Sequence, residues 1–503
     1  ILFSDPDSGE PLFYMPRSFA VDSNGNRCDI VGMTFTEEGL LQVSVDADWL
    51  EHAVYPIIID PTINLFDATF TRSSTAYKQD GTQVTSGTPR YETAKFNQGI
   101  MIEEGTTNLL TANQSSVETD LTGLVGVSSY GGQRTFIRDT STSCSGIASA
   151  KMVSDYAGIQ NIAIWTSNLR ANVTAGQTYT ASCYAKAQTS APGTWAIGIH
   201  WYNSSGSEIS QTYATYVPSS QAWTRLTYTA TAPSGAVSAF IGPRVPNVSQ
   251  GDILWADVLQ LEQKPYATSW TLGGTTRASE TLTIPTAGVF QKGNWTVELT
   301  FIPTSKQNIS GRYPALWSCR MNANNKYRIT IHENGRPYAE VNSNGQNVFT
   351  DAGASPLLQV GEKYSIMACG DGSVLKLFVN GVQCGGDVPY AEPIGDLPAI
   401  MDIGHWGGAP ANGIIDDLRI SNRARTLAEH QAAYQSNQPL TLDSTTTCKL
   451  SFDGSLDAIG VGPTPTRFIY DYNNRLDYIE MPSGSLVDYQ YDANGNLIRR
   501  TIH

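Results

Sequence analysis

The chain has 503 residues, of which only 16% are charged, and a net charge of −14 from 32 basic and 46 acidic groups. It has no basic run, so a phosphate backbone is excluded as a partner and the charge reads as an aid to solubility. No apolar run approaches the ~18 residues of a membrane span, while the length allows roughly three domains at ~150 residues each.

Short alternating runs broken by turn residues dominate, and long helical stretches are almost absent, which predicts all-β sandwiches. Seven widely spaced cysteines (Cys28, Cys144, Cys183, Cys319, Cys369, Cys384 and Cys448) include no C-x-x-C pair, which argues against zinc and thioredoxin-like chemistry. Cys144–Cys183 and Cys369–Cys384 can either pair or remain buried thiols. The chain starts at Ile1 without a signal peptide and His503 falls inside a pattern, so it reads as a piece of a longer protein.

Residues 1–63 read as the end of an N-terminal β domain. Asp22-Ser-Asn-Gly-Asn26 lacks the remaining ligands of a calcium loop and reads as an Asn-Gly turn. The segment ends in Asp48-Trp-Leu-Glu-His-Ala-Val-Tyr-Pro-Ile-Ile-Ile-Asp-Pro-Thr-Ile63. This resembles the Tyr-Pro-(apolar)₃-Asp-Pro-Thr ending of large bacterial surface proteins that later carry Tyr-Asp repeats.

Residues 64–271 form the next predicted unit. Ala68-Thr-Phe-Thr-Arg-Ser-Ser-Thr-Ala-Tyr77, Pro89-Arg-Tyr-Glu92 and Glu103-Glu-Gly-Thr-Thr-Asn-Leu-Leu110 resemble a lead-in of phage tail and bacterial surface proteins. Arg72, Arg90 and the Glu103-Glu104 pair are assigned to structural ion pairs. Four segments then follow in the order of a carbohydrate-binding module: Asn108–Gly123, Tyr179–Lys186, Ala222–Pro233 and Ile253–Glu262. The resemblance implies a jelly-roll sandwich and is uninformative about ligand. In Ile253–Glu262, alternation places Ile253, Trp255, Asp257, Leu259 and Leu261 on one face. A carboxylate among apolar side chains must be bonded, metal-bound or protonated. The resemblance implies a structural calcium held by Glu118 and Asp257 with carbonyls near Asn113; the residues equally allow Asp257 to bond backbone amides.

Sugar binding needs aromatic faces flanked by hydrogen-bonding groups. Trp195, Ile197, Ile199 and Trp201 share one face of a strand and read as core, with Trp223 and Trp255 matching core positions of the resembled module. His200 and Tyr202 share the other face. Trp165, His200, Tyr202 and Tyr213, with Tyr216, are therefore the candidate ligand residues. Asn203-Ser-Ser-Gly206 reads as a hairpin turn.

Residues 272–448 restart the pattern. Leu375-Lys-Leu-Phe-Val-Asn-Gly-Val-Gln383 reads as strand, Asn-Gly turn and return strand. Gly413-Ile-Ile-Asp-Asp-Leu-Arg-Ile-Ser-Asn-Arg-Ala424 precedes a short helix over 427–435. These motifs resemble the laminin-G-like, concanavalin-type sandwich. Asp416 is expected on the apolar face beside Leu418, partnered by Arg419 or by strand amides. That fold hosts glycosidases whose paired carboxylates lie ~5 Å apart on one strand. No Glu-x-Asp-x-(x)-Glu string occurs, Glu340 stands alone, and G-x-S-x-G, H-E-x-x-H and P-loop motifs are missing. The sequence therefore offers no catalytic residues.

Residues 449–503 hold a linker and an internal repeat. Phe468–Ile479 realigns on Gln490–Thr501, with Tyr470-Asp471 and Tyr491-Asp492 lying 21 residues apart. Strand, Asn-rich turn and strand predict β-hairpin repeats, similar to the Tyr-Asp repeats of rearrangement-hotspot proteins. Leu450-Ser-Phe-Asp-Gly-Ser-Leu456 reads as a closing strand or as a truncated further domain.

The expectation is tandem jelly-roll β-sandwiches between an N-terminal β segment and C-terminal hairpins, in an extracellular or cell-surface protein of bacterial or phage origin. A non-catalytic segment binding glycan or cell-wall polysaccharide is weighed against a purely structural spacer and a glycan-processing enzyme.

Overall fold

Two faces of alternating side chains must each find a cover, and the chain satisfies this with two antiparallel sandwiches. The computed structural model describes residues 68–458 except 167, 168, 408 and 444; outside that span it describes 44–54, Ala20, Cys28 and the backbone of short flanking strands.

In the first sandwich, the strands Leu124–Ser128, Gln160–Thr166, Ser238–Val248, Thr194–Tyr202 and Glu208–Tyr213 lie side by side. They pack on a sheet ordered Arg134–Asp139, Ser149–Ser154, Ile253–Glu262, Thr178–Gln188 and Thr224–Thr231. Trp195, Ile197, Ile199 and Trp201 do face the core, opposite Ala181, Cys183, Ala185 and Ala187. Small side chains on one sheet make room for indoles on the other, which fills the layer without voids.

The second sandwich takes strands from both sides of the first. One sheet runs Gln346–Phe349, Pro337–Ser343, Asn325–Ile331, Ala315–Asn322, Ile400–Ile403, Thr281–Pro285 and Thr69–Thr71. The other is built on Gly413–Ser421, flanked by Asn294–Pro303 and Thr446–Leu450, with Gln98–Ile102 pairing to its start (Ile100 opposite Ile415). Residues 69–102 thus belong to the second sandwich, and the first is an insertion into it. The expected bounds at 64–271 and 272–448 shift accordingly. Strands of three to five residues carry too little pattern to show which distant sheet they join. Asp457–Ile459 pairs with Thr446–Leu450 and Asn64–Asp67, so the segment after Leu450 closes this same sandwich. Asn380 (φ 52°) and Gly381 (φ 79°) make the expected hairpin turn with both residues left-handed. The predicted helix spans Leu427–Ser436, with Thr426 and Glu429 forming a capping box.

The chain leaves and re-enters through a stem, Thr106–Thr107 paired with Thr276–Arg277. Beside it lies a fully buried charge network. Glu280 accepts from Arg72 Nη1 at 2.9 Å, from Arg90 Nε at 2.8 Å and Nη2 at 2.6 Å, and from the Glu103 N–H at 3.0 Å. Glu103 is 3.0 Å from Arg90 and 2.9 Å from Arg277, the latter contact being one of charge without a directed hydrogen bond, and accepts the Ser269 N–H at 2.7 Å. Burial disfavours its ionised form, but Arg277, Arg90 and the Ser269 amide outweigh that and hold it at about 2. The two carboxylates tie the lead-in, the stem and the exit of the inserted sandwich into one body. Glu104 pairs instead with Lys264 at 3.1 Å.

At the ends, Phe19–Val21 lies between Arg27–Cys28 and Ile58–Asp60, and Asp46 caps the helix Ala47–His52. Arg467–Tyr470, Leu476–Glu480, Leu486–Tyr491 and Leu497–Ile502 form a four-stranded antiparallel meander. Residues 22–26, 55–57, 61–63, Asp471, Asp492, Asn494 and Gly495, on which sequence motifs rested, lie outside the described residues. Cys144, Cys183, Cys319, Cys369, Cys384 and Cys448 are free thiols, so neither Cys144–Cys183 nor Cys369–Cys384 is paired.

Two predictions follow from the insertion. A fragment starting at residue 272 lacks the strands Asn64–Asp67, Thr69–Thr71 and Gln98–Ile102 and buries Glu280 without Arg72 or Arg90; it is expected to show no cooperative thermal transition by circular dichroism, whereas residues 64–459 do. Arg90→Ala in the full chain is expected to cost about 3–5 kcal/mol in urea unfolding, the cost of stranding a buried charge.

Candidate functional site: an aromatic face on the inserted sandwich

The sheet that holds Thr194–Tyr202 uses its inner face for tryptophan packing, so alternation sends a second set of rings outward. His200 and Tyr202 project opposite Trp195 and Trp201. Register sets Phe240 beside His200, Gln211 on its other side, and Arg244 across from Ala163 next to Trp165. The rings form one cluster: Trp165 lies 4.5 Å from His200, 5.6 Å from Phe240 and 6.1 Å from Tyr213. His200 stacks on Phe240 at 4.6 Å, and Tyr216 stacks on Tyr213 at 6.3 Å. Tyr213 lies flat over Gly198, where a Cβ would come within 2.6 Å of the ring. Glycine there lets the ring settle onto the sheet.

Trp165, His200, Tyr213, Gln211, Arg244 and Asn161 line a cleft of about 200 Å³. His200 Nδ1 is 2.9 Å from Glu208 Oε2, and Nε2 is 3.1 Å from the Tyr213 hydroxyl. Burial holds the imidazole below its ordinary pKa even with Glu208 beside it. A carboxylate only accepts, so Glu208 selects the Nδ1–H tautomer of the neutral ring, and Nε2 and Gln211 Oε1 then both face the single Tyr213 hydroxyl proton. The Tyr213 hydroxyl is also 2.8 Å from Gln211 Oε1. The cleft thus offers ring faces together with an amide, a guanidinium and a hydroxyl at its margin, and no carboxylate lines it.

Of the four sequence candidates, Trp165, His200 and Tyr213 meet in this cleft. Tyr202 stands behind it, donating to Glu208 at 3.0 Å under the Arg170 guanidinium, 3.5 Å from the ring centre. Sequence reasoning missed Phe240, Arg244, Gln211 and Asn161. Alternation of Phe240, Gly242 and Arg244 along one strand was the available signal.

The face assigned to Ile253–Glu262 is corrected by a β-bulge. Val258 takes φ 56°, and pairing to the neighbouring strand slips between Ser182 and Tyr184. The core therefore receives Leu254 and Ala256 before the bulge, then Leu259 and Leu261 after it. Trp255 turns outward, with Lys186 5.0 Å and Lys151 5.4 Å from its ring, and donates to Asp139 at 2.9 Å. Trp223 is half-buried, and Trp255, although buried, packs outside the inter-sheet cluster.

Asp257 is buried and accepts the N–H groups of Cys144 (2.8 Å), Ser145 (3.1 Å) and Val258 (2.7 Å). Glu118 accepts the N–H of Ile147 in the same loop at 3.0 Å, and the Asn113 carbonyl receives Val117 N–H at 3.0 Å. A calcium ion takes roughly six to eight oxygens. These carboxylates face amide hydrogens and the carbonyl caps a helix, so the described residues fit the backbone-amide arrangement and do not fit the cation. Among the described residues no cluster of three or more His, Cys, Asp or Glu side chains has metal-binding geometry.

Asp416 repeats the device in the second sandwich. Asp417 takes φ 52°, and Asp416 accepts the Phe96 N–H at 2.8 Å, while Arg419 pairs with Glu298 at 2.6 Å. Of the two expected partners, Arg419 is not the one found; the amide is, supplied by the bend before Gln98–Ile102 rather than by a strand. The bulge also breaks the expected face: Ile415, Leu418 and Ile420 point into the core. His405 and Trp406 pack on the same sandwich, with Arg328 4.2 Å from the indole.

Residues 275–429 match the concanavalin A-like lectin/glucanases superfamily. Solved structures similar to parts of the chain include three at low identity. A CBM22-1 xylan-binding domain from Paenibacillus barcinonensis has 16% identity and a TM-score of 0.25, covering 32% of this chain and 98% of that one. Domain 4 of an extracellular arabinanase from Geobacillus stearothermophilus, in complex with arabinotriose, has 18% identity and a TM-score of 0.28, covering 34% and 81%. An SAP-like pentraxin from Limulus polyphemus has 15% identity and a TM-score of 0.24, covering 29% and 71%. No curated protein matches the chain. The chain is all-β, built from sandwiches, and no helix among the described residues is long and apolar enough to cross a membrane.

Burial pushes Asp257 and Asp416 up to about 7, against the pull of their backbone donors. A carboxyl whose folded pKa exceeds its unfolded value adds stability below about pH 4 and loses it as pH rises through about 7. Unfolding free energy measured in urea is thus expected to fall over that window, with a shallower slope in Asp416→Asn. Calcium and chelator are expected to leave the melting temperature unchanged.

Proposed function

We propose that the inserted sandwich binds a glycan chain on its Trp165–His200–Tyr213 face without cleaving it, within a larger extracellular or cell-surface protein. The observation that carries this reading is an outward ring cluster, flanked by hydrogen-bonding groups, on a sheet whose inner face already has its tryptophan core. Pyranose rings present C–H faces that stack on aromatics and hydroxyls that bond amides and guanidinium groups. Glycoside cleavage by the common route takes two carboxyl groups about 5–9.5 Å apart, and none lines this cleft. The C-terminal meander is taken as the start of a Tyr-Asp array that continues the surface protein, consistent with bacterial or phage origin.

The spacer reading draws support from Trp195, Trp201, Trp295 and Trp317, which are fully buried packing residues. Titration separates the two. Affinity electrophoresis through xylan, arabinan, galactan and β-glucan gels is expected to retard the chain in at least one. Tyr213→Ala is expected to weaken that retention about tenfold, a loss near 1.4 kcal/mol, with an unchanged melting temperature. A chain that migrates alike in every gel acts as a spacer.

A further inference from the structure

A second cluster of rings lies on the other sandwich, on the outer side of the sheet that ends in Gln346–Phe349. Tyr313, His332, Tyr338 and Phe349 follow one another at ring separations of 5.3, 5.9 and 6.0 Å. With Asn334, Asn347 and Asp351 they line a cleft of about 380 Å³. Tyr338, only 7% exposed, is fixed within the sheet, whereas Phe349 is 56% exposed at its edge. An exposed aromatic on an edge strand is an aggregation liability unless something covers it.

The polar groups limit what that cover is. His332 Nδ1 accepts the Asn334 N–H at 3.1 Å, which places the remaining ring proton on Nε2 as a donor. One Asp351 oxygen accepts the Gly353 N–H at 2.7 Å. No Lys or Arg lines the cleft. Asp351 at the cleft and Glu333, bonded to the Gly311 N–H at 2.7 Å, repel an anionic ligand. Ring faces, both donors and acceptors, and no cation together match a neutral polyhydroxylated ring.

We infer that the second sandwich binds a neutral pyranoside in the Tyr313–His332–Tyr338–Phe349 cleft, independently of the face on the inserted sandwich. Two such sites on one chain raise its retention on a polymeric glycan through effective concentration.

The test uses the full chain carrying Tyr213→Ala, so that the first face is weakened. It is titrated with xylohexaose, cellohexaose, mannohexaose and maltohexaose by calorimetry, with the His332 ring followed by NMR. At least one hexasaccharide is expected to bind and to shift the His332 signals. Adding Phe349→Ala, at an exposed position that leaves folding intact, is expected to weaken that binding about tenfold or more. Oligogalacturonate is expected not to bind. The inference is overturned if no neutral hexasaccharide moves His332, if Phe349→Ala leaves the titration unchanged, or if only oligogalacturonate or a polypeptide occupies the cleft. Loss of retention through Tyr213→Ala alone reports on the first face and leaves this result separate.

Discussion

The Arg90–Glu280 contact, buried beside the stem, is the constraint on which the architecture depends. A sandwich inserted into another can be carried only if the chain leaves and returns at one place. Here Arg72, Arg90 and Arg277 meet Glu103 and Glu280 at that place with their side chains fully buried. Burying five charges is costly, and the cost is offset only when each has partners. Arg72 also donates to the carbonyls of Thr85 and Thr88, and Glu103 reaches the amide of Ser269. The network thus accepts one register of stem, lead-in and exit, and a shifted register strands a charge.

A second constraint sets the orientation of side chains on the strands that close each sandwich. Asp257–Val258 and Asp416–Asp417 both carry a bulge whose second residue is left-handed, at φ 56° and φ 52°. An unbranched αL position is left to glycine or asparagine in most chains, and here Val258 and Asp417 adopt it inside paired strands. In each case the Asp turns its carboxylate to backbone amides of a passing segment: the 144–145 loop in one sandwich, Phe96 in the other. The bulge therefore does two jobs. It switches the apolar face, and it fastens a loop to the closing strand through backbone amides.

Much of this was legible from the residues. The Trp195–Trp201 alternation, the Asn380-Gly381 turn and the helix after Ala424 are local patterns, and the structure reproduces them. The ion-pair roles of Arg72, Arg90 and Glu103 also followed from the chain. What was not legible depends on distant partners. A period of two cannot reveal a bulge, so Trp255 was placed on the wrong face. Thr69–Thr71 is too short to announce a partner at Thr281–Pro285, some two hundred residues later. Three of the four candidate ligand residues share the outward cleft, and of these only His200 was marked by alternation against an evident core. Phe240 and Arg244 lie on a strand that holds Pro243 and Pro246, residues that weaken a strand pattern.

The functional account rests on a division of labour among tryptophans. Trp195 and Trp201 hold the sheets together, while Trp165, 5% exposed, forms the wall of the outward cleft. The direct measurement is an NMR titration of the indole N–H signals with xylan, arabinan, galactan and β-glucan oligosaccharides. The account predicts that at least one shifts the Trp165 signal while those of Trp195, Trp201, Trp295 and Trp317 stay in place. No shift at Trp165 with any of them, or shifts spread evenly over the core indoles, would contradict it.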